Sequence, residues 1–258
     1  MNRLKIATTF GLALLLGIIG NAAKSEAVLI SGTCDNLSAS VDYTFSGNTL
    51  TVVLTNTSTN DVLIPSEVLT ALFFDISGYS GTLTPVSATL TSGSTVFFGS
   101  DGGGNVGGEF AYADNLSGAP NGATSGISSA GFGLFGNANF NGPNLGGPNA
   151  VDGLQYGITS AGDNPSTGNA AVTGPNELIQ NSVTFTLTSD VAFTGSETLT
   201  NVSFQYGTSL EETNCAPGDH NPVPEPSTML LLGLALSGSG GIGFLRGRRK
   251  GTDRSLTQ

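Results

Sequence analysis

The sequence predicts an all-β fold, a single antiparallel β-sandwich of jelly-roll-like type with long Gly/Asn-rich loops. Three observations support this prediction. Apolar residues alternate with Thr and Ser in short runs, turn residues separate the runs, and long stretches of helix-forming residues are scarce. We expect a signal peptide over residues 1–27, one exported domain over 28–218, and a linker with a sorting signal over 219–258.

The clearest single element is a β-hairpin near the start of the exported domain. The runs "VDYTF" (41–45) and "TLTVVLT" (49–55) both alternate apolar with polar residues, and the turn residues "SGN" separate them. The next run, "ALFFDI" (71–76), is more uniformly apolar and predicts a strand that is buried on both faces.

Further strands follow at both ends of the domain. "TLTPVSATL" (82–90) and "STVFFG" (94–99) predict two strands, and "NSVTFTLT" (181–188) and "TNVSFQYG" (200–207) predict two more. Between them, residues 99–174 are so rich in Gly, Asn and Pro that long loops are expected, with short strands around "GEFAYA" and "GLQYGI".

The first 27 residues have the order of a secretory signal peptide. Arg3 and Lys5 precede an apolar run, Ile6 to Ile19, and small residues follow, with Ser25–Ala27 as the best cleavage site. The chain is therefore expected to be exported.

Charge is distributed very unevenly along the chain. All eight Lys and Arg residues lie in the terminal segments, whereas the sequence from Val28 to Asn221 contains sixteen Asp and Glu and no Lys or Arg. Nucleic acid is therefore excluded as a partner of the body, because phosphate binding depends on Lys and Arg. An anionic membrane surface would repel it as well.

The two cysteines, Cys34 and Cys215, stand near the start and the end of the exported domain. In an oxidising compartment such a pair is expected to form one structural disulfide that joins the first strand to the last. Closing so long a loop would stabilise the fold by about 5 kcal/mol at most.

The end of the chain combines three features in a fixed order. Pro224, Glu225 and Pro226 form a stiff segment, and Met229–Leu245 is an uncharged stretch that predicts a marginal transmembrane helix. A basic cluster follows and is expected to stay in the cytoplasm. Its members are Arg246, Arg248, Arg249 and Lys250.

This tail resembles the PEP-CTERM sorting signal of bacterial surface proteins. The resemblance implies that Pro224-Glu225-Pro226 is recognised by an exosortase-type membrane protease after signal peptidase has removed the leader. It also implies a transient inner-membrane anchor, final release to the cell surface or the extracellular space, and an association with exopolysaccharide or biofilm matrix. Phrases in the body, such as "VDGLQYGI" and "SSAGFGLFG", look like a recurrent exosortase-dependent surface domain, but no activity comes with that resemblance.

Catalytic motifs are absent, so a non-enzymatic protein is predicted. His220, the only histidine, lies in the linker and favours no Ser-His-Asp triad. Carboxylates in or near the loop-rich centre leave a glycoside hydrolase as a lesser alternative. These carboxylates are Glu109, Asp114, Asp152 and Glu177.

Two binding hypotheses remain open beside a structural or adhesive matrix role. Calcium is one, since "DGGGNVGGEFAYAD" offers oxygen ligands on flexible backbone, although it fails the EF-hand template and no cofactor is required. Its candidate ligands are Asp101, Asn105, Glu109 and Asp114. Carbohydrate is the other, because central aromatic residues line either a groove or the core beneath the loops. Those aromatic residues are Tyr112, Phe132, Phe135, Phe140 and Tyr156.

Overall fold

The computed structural model describes residues 26–137, 139–147, 151, 153–174 and 176–218. These residues form thirteen strands: β1 (Val28–Cys34), β2 (Leu37–Ser46), β3 (Thr49–Asn56), β4 (Leu69–Ser77), β5 (Leu83–Leu90), β6 (Thr95–Phe97), β7 (Ala111–Ala113), β8 (Ser125–Ser128), β9 (Ile158–Thr159), β10 (Leu178–Gln180), β11 (Ser182–Ser189), β12 (Thr198–Tyr206) and β13 (Asn214–Cys215). Helical structure within them is limited to α1 (Ala170–Thr173) and short 3-10 turns at Pro65–Glu67, Gly102–Gly104, Gly107–Glu109 and Pro120–Gly122.

The chain divides into two units, Met1–Pro217 and Gly218–Gln258, and the thirteen strands of the described residues belong to the first. The strands build two sheets that enclose a common core, so the predicted all-β sandwich is confirmed. One sheet has five strands in the order β1-β2-β3-β11-β5. The other has eight, along the path β13-β12-β4-β9-β10-β6, with β8 paired to β4 and β7 paired to β8.

The strand order combines a simple meander with long-range pairs. Strands β1 to β3 are consecutive neighbours, while β3–β11, β11–β5 and β12–β4 join strands that are distant in sequence. Pairing is antiparallel except for β9 with β10, which run parallel in the described residues. This short parallel pair departs from the purely antiparallel expectation.

The predicted hairpin is confirmed as β2 and β3. Ser46 pairs with Thr49, and Gly47 begins the two-residue turn between them at a φ of 58°, a conformation that glycine adopts without steric cost. Six apolar residues of the hairpin face inward and are at most 3 % exposed, whereas Val53 lies half-buried on the outer face. The six are Val41, Tyr43, Phe45, Leu50, Val52 and Leu54.

Strand β4 is buried on both faces, as its uniform sequence predicts. Leu72 and Phe74 point into the main core between the two sheets. Ala71 and Phe73 point the other way, into a second, smaller core. This second core lies between the eight-stranded sheet and the Gly/Asn/Pro-rich centre of the chain, which supplies Ala119, Ala123, Phe135 and Val151.

The loop-rich centre is therefore a cover over one sheet rather than a set of free loops. The expected short strands around residues 108–113 and 153–158 correspond to β7 and β9. Strand β8 and helix α1 have no counterpart in the sequence prediction, because neither shows a clear apolar period in "ATSGISSAG" or "GNAAVTG".

The predicted disulfide is confirmed between Cys34 and Cys215, whose Cα atoms are 5.5 Å apart. Because β1 and β13 are the outer strands of different sheets, this bond joins the two layers of the sandwich covalently. Gly32 permits the close approach, since a Cβ atom there would lie 2.8 Å from the Phe204 ring and 3.0 Å from the Cys215 carbonyl oxygen.

Candidate functional site

A groove of about 480 Å³ lies at the end of the sandwich where β4 stops and β5 begins. Its volume is within the range of pockets that hold small ligands. Both sheets contribute, because Leu83 belongs to the five-stranded sheet and Tyr112 to the eight-stranded one. The lining residues are Asp75, Ile76, Tyr79, Gly81, Thr82, Leu83, Tyr112, Asp114, Asn115, Thr124 and Ser125.

Asp75 lies near the end of β4, on the face opposite the main core, where the apolar run of that strand ends. One carboxylate oxygen accepts hydrogen bonds from the backbone N–H and the hydroxyl of Thr124, at 2.7 and 2.6 Å. The other accepts from Asn201 Nδ2 at 2.7 Å. Partial burial acts to raise the pKa of Asp75, but these hydrogen bonds outweigh it, so the pKa lies below the usual 3.8. Asp75 is therefore ionised at neutral pH and held in one orientation.

Two tyrosines form the aromatic part of the groove. Tyr79 stacks on Phe193, with ring centroids 5.3 Å apart, and its hydroxyl donates to Ser189 Oγ at 2.8 Å. Burial, followed by the nearby charge of Asp114, raises the pKa of Tyr112 to about 12. Burial also raises the pKa of Tyr79. Both phenols are therefore protonated at neutral pH; the Tyr79 proton is donated to Ser189, and the Tyr112 hydroxyl is hydrogen-bonded to Ser125.

Apart from Ile76, Gly81 and Leu83, the rest of the lining is polar and mostly exposed. Asp114 follows β7 and accepts a hydrogen bond from Asn115 Nδ2 at 3.1 Å. Asn115 has a φ of 54°, a left-handed conformation that asparagine tolerates better than most residues. Thr82 Oγ1 and Ser125 Oγ add hydroxyl groups of the kind that pair with alcohols. Residues 26–218 contain no Lys or Arg, so no basic side chain of the described domain balances these carboxylates.

The four calcium candidates are engaged separately. Asp101 and Asn105 each accept a backbone N–H two residues ahead, at 2.9 Å from Gly103 and from Gly107. Glu109 is buried and accepts the backbone N–H groups of Leu145 and Gly146. Asp114 lines the groove instead. Within the part of the chain that the structure describes, no three His, Cys, Asp or Glu side chains come together as a metal site would require.

The carboxylates considered for glycoside hydrolysis do not share one cleft either. Glu109 and Glu177 both lie near Tyr156, whose pKa is raised by burial first and by these charges second. Tyr156 donates its hydroxyl proton to the Ser100 carbonyl oxygen at 2.9 Å. Asp114 is in the groove, and Asp152 lies outside the described residues.

The central aromatic residues belong to the cores. Tyr112, Phe140 and Tyr156 are part of the main core, and Phe135 is part of the second one. Phe132 is half-buried against the second core. Tyr112 alone of the five also lines the groove, so the interpretation as core beneath the loops accounts for the others.

The residues of the predicted sorting signal lie outside the described part of the chain. This applies to Pro224, Glu225 and Pro226, to the basic cluster from Arg246 to Lys250, and to His220. The leader is likewise outside it up to Ser25. Among the described helices, none has the length and apolar character needed to cross a membrane.

Comparison with known proteins gives no relative that would assign the groove a role. No protein-family model, curated protein or solved structure matches the chain.

Sequence analysis missed most of the groove. Asp75, Tyr79 and Thr124 are spread over fifty positions and meet only when β4 and β8 pair. A signal was present for two of them: "FFDISGY" places a carboxylate and a tyrosine where an otherwise buried strand ends, and such strand ends often carry functional side chains.

Proposed function

We propose that the protein is exported and sorted to the cell surface or extracellular matrix, where its β-sandwich acts as a non-enzymatic, adhesive module. In this proposal the groove binds carbohydrate of an exopolysaccharide matrix.

The location is supported by both ends of the sequence and by the disulfide. The leader and the PEP-CTERM-like tail imply processing by signal peptidase and an exosortase-type protease, with a transient inner-membrane anchor between the two steps. The bond between Cys34 and Cys215 fits this route, because disulfides persist in oxidising compartments outside the cytoplasm.

The activity rests on one observation, the composition of the groove. Two protonated tyrosines, two aspartates, an asparagine and several hydroxyl groups line a groove of about 480 Å³ at the end of the sandwich. Sugars present both C–H faces, which pack on aromatic rings, and hydroxyl groups, which pair with carboxylates and amides. This lining is more polar than that of a typical small-ligand pocket, which suits a ligand rich in hydroxyl groups.

A binding role fits this groove better than hydrolysis. Glycoside hydrolysis needs one carboxyl group that stays protonated to act as general acid, beside a second that stays ionised. The hydrogen bonds of Thr124 and Asn201 stabilise the ionised form of Asp75, so Asp75 is unsuited to the role of the acid and could serve only as the ionised partner. Asp75 is therefore suited to accept hydrogen bonds from a ligand rather than to donate a proton.

The location is tested by intact mass spectrometry of the protein recovered from the envelope and medium of its host. We expect a species that starts near Val28, ends near Glu225, and gains about two mass units on reduction. A full-length C-terminus found only in the inner membrane would contradict the sorting proposal.

The activity is tested with the full chain, exported into an oxidising compartment, and with exopolysaccharide purified from the host. Tyr79→Ala and Asn115→Gly should each weaken binding; the second removes an exposed amide and keeps the left-handed backbone, since Asn115 has a φ of 54°. Phe98→Ala is the matched control, because Phe98 is an exposed aromatic residue that does not line the groove. Equal binding by all these variants, or none by the parent chain, would contradict a carbohydrate role for the groove.

A further inference from the structure

Carboxylates in and beside the groove give it a negative charge. Asp75 and Asp114 both line it, and Asp190 stands close by, with its carboxylate accepting the Thr82 backbone N–H at 2.7 Å. Burial raises the pKa of Tyr79, and the negative charge of Asp190 raises it further. The groove is thus a region of negative potential that extends beyond its two lining carboxylates.

No basic residue offsets this potential within the described domain, since residues 26–218 contain neither Lys nor Arg. A uronate, sulfate or phosphate group on a polysaccharide would enter the groove without a cationic partner, and like charges in a cleft repel. Acidic polysaccharides are therefore disfavoured as ligands by the residues that are present.

We propose that the groove is selective for amino sugars with free, protonated amines, such as a de-N-acetylated hexosamine polymer; this inference rests on the proposed carbohydrate-binding function. Asp75 and Asp114 accept hydrogen bonds from the sugar ammonium, and the hydroxyls of Thr82 and Ser125 pair with the ring alcohols. A cation held over a tyrosine face gains a further attraction from the ring, which Tyr79 can supply.

The two aspartates differ in what they contribute. Asp75 already accepts three hydrogen bonds from Thr124 and Asn201, so its position is fixed before a ligand arrives. Asp114 is exposed, and among the described residues its carboxylate accepts a hydrogen bond from its neighbour Asn115 at 3.1 Å. Replacing Asp114 should therefore remove a ligand contact without destabilising the fold. Replacing Asp75 would remove a ligand contact and also destabilise the fold.

The test measures the affinity of the full chain for four probes by isothermal titration calorimetry at about pH 5.5, where the sugar amines and most carboxylates are charged. The probes are a glucosamine hexamer, an N-acetylglucosamine hexamer, a galacturonate hexamer and a pentalysine peptide. We expect the glucosamine hexamer to bind best. Asp114→Asn should weaken its binding about fivefold, the upper range for one exposed ion pair, and leave the N-acetylated hexamer unaffected. Glu211→Gln is the control, since it removes one exposed charge at the opposite end of β12 from the groove.

Each other outcome contradicts the inference in a distinct way. The glucosamine and N-acetylglucosamine hexamers could bind with equal affinity, and Tyr79→Ala could abolish the binding of both. The groove would then be a carbohydrate site without selectivity for amines. Pentalysine binding as tightly as the glucosamine hexamer would make the groove a site for cationic peptides. If Glu211→Gln weakened binding as much as Asp114→Asn, the attraction would belong to the whole acidic surface. No binding of any hexamer would contradict the proposed carbohydrate function as well.

Discussion

Removing the disulfide should cost a large part of the stability of the sandwich. The bond closes a loop of 181 positions between Cys34 and Cys215. In the loop-entropy relation a closure of this length restricts the unfolded chain by about 5 kcal/mol at 25 °C, an upper figure. For a domain of this size each kcal/mol corresponds to roughly 2–4 °C, so the melting temperature should fall by about 10–20 °C.

The assay compares the parent chain with Cys34→Ala/Cys215→Ala in urea, followed by circular dichroism and tyrosine fluorescence, because the chain contains no Trp. Alanine is preferred to serine at these positions, since Cys215 is only 1 % exposed and a hydroxyl there would need a partner. The slope of the unfolding free energy with urea should also increase, because the unlinked unfolded chain exposes more surface.

Reduction of the parent chain with a phosphine provides the internal control and should give the same loss as the double variant. A loss below about 1 kcal/mol in both experiments would refute the loop-entropy reasoning. It would mean that the unfolded chain is already compact, or that the sandwich holds β1 and β13 together without the bond.

Three further predictions concern the packing around Gly32, the ionisation of Asp75 in the groove, and calcium binding. Gly32→Ala should destabilise the fold by about 1–3 kcal/mol, because the new Cβ would overlap the Phe204 ring, whereas Gly136→Ala, with open space around its Cα, should change little in the same urea titration. Asp75→Asn should be less stable than the parent at pH 7, and the gap should narrow on acidification. The folded-state pKa of Asp75 is depressed, so its contribution is present above the unfolded value of 3.8 and lost as the pH falls through the folded value. If the difference in unfolding free energy between the parent and Asp75→Asn stayed constant from pH 7 to about pH 2, the depressed pKa of Asp75 would be contradicted. Calcium at millimolar concentration should leave the melting temperature within about 1 °C of that in a chelator, and a rise of several degrees would reveal a site that includes residues outside the described part of the chain.

The parts of the fold that sequence analysis predicted correctly are those with local signals. Alternation in 41–45 and 49–55 fixes the faces of β2 and β3, because a shift by one residue would turn every apolar side chain outward. The pairing of the two cysteines could be predicted from their number and from the expectation that the chain is exported.

The parts that were missed depend on contacts between distant segments. The carboxylate of Asp75 meets Thr124 across 49 positions and Asn201 across 126, and no pattern along the chain reports such distances. The second core is similar: Phe135 and Val151 stand among Gly, Asn and Pro without a period, so their burial follows from the sheet that they cover.

The position of the disulfide also determines how the domain bears tension. If a surface protein is pulled at its two ends, the force enters through the residues before Cys34 and leaves through those after Cys215, and the covalent bond carries it directly between them. The 181 positions inside the loop, about 600 Å of extended chain, stay outside the path of the load. While the bond is intact, tension at the two ends can separate β1 from β2 but cannot extend the chain between Cys34 and Cys215.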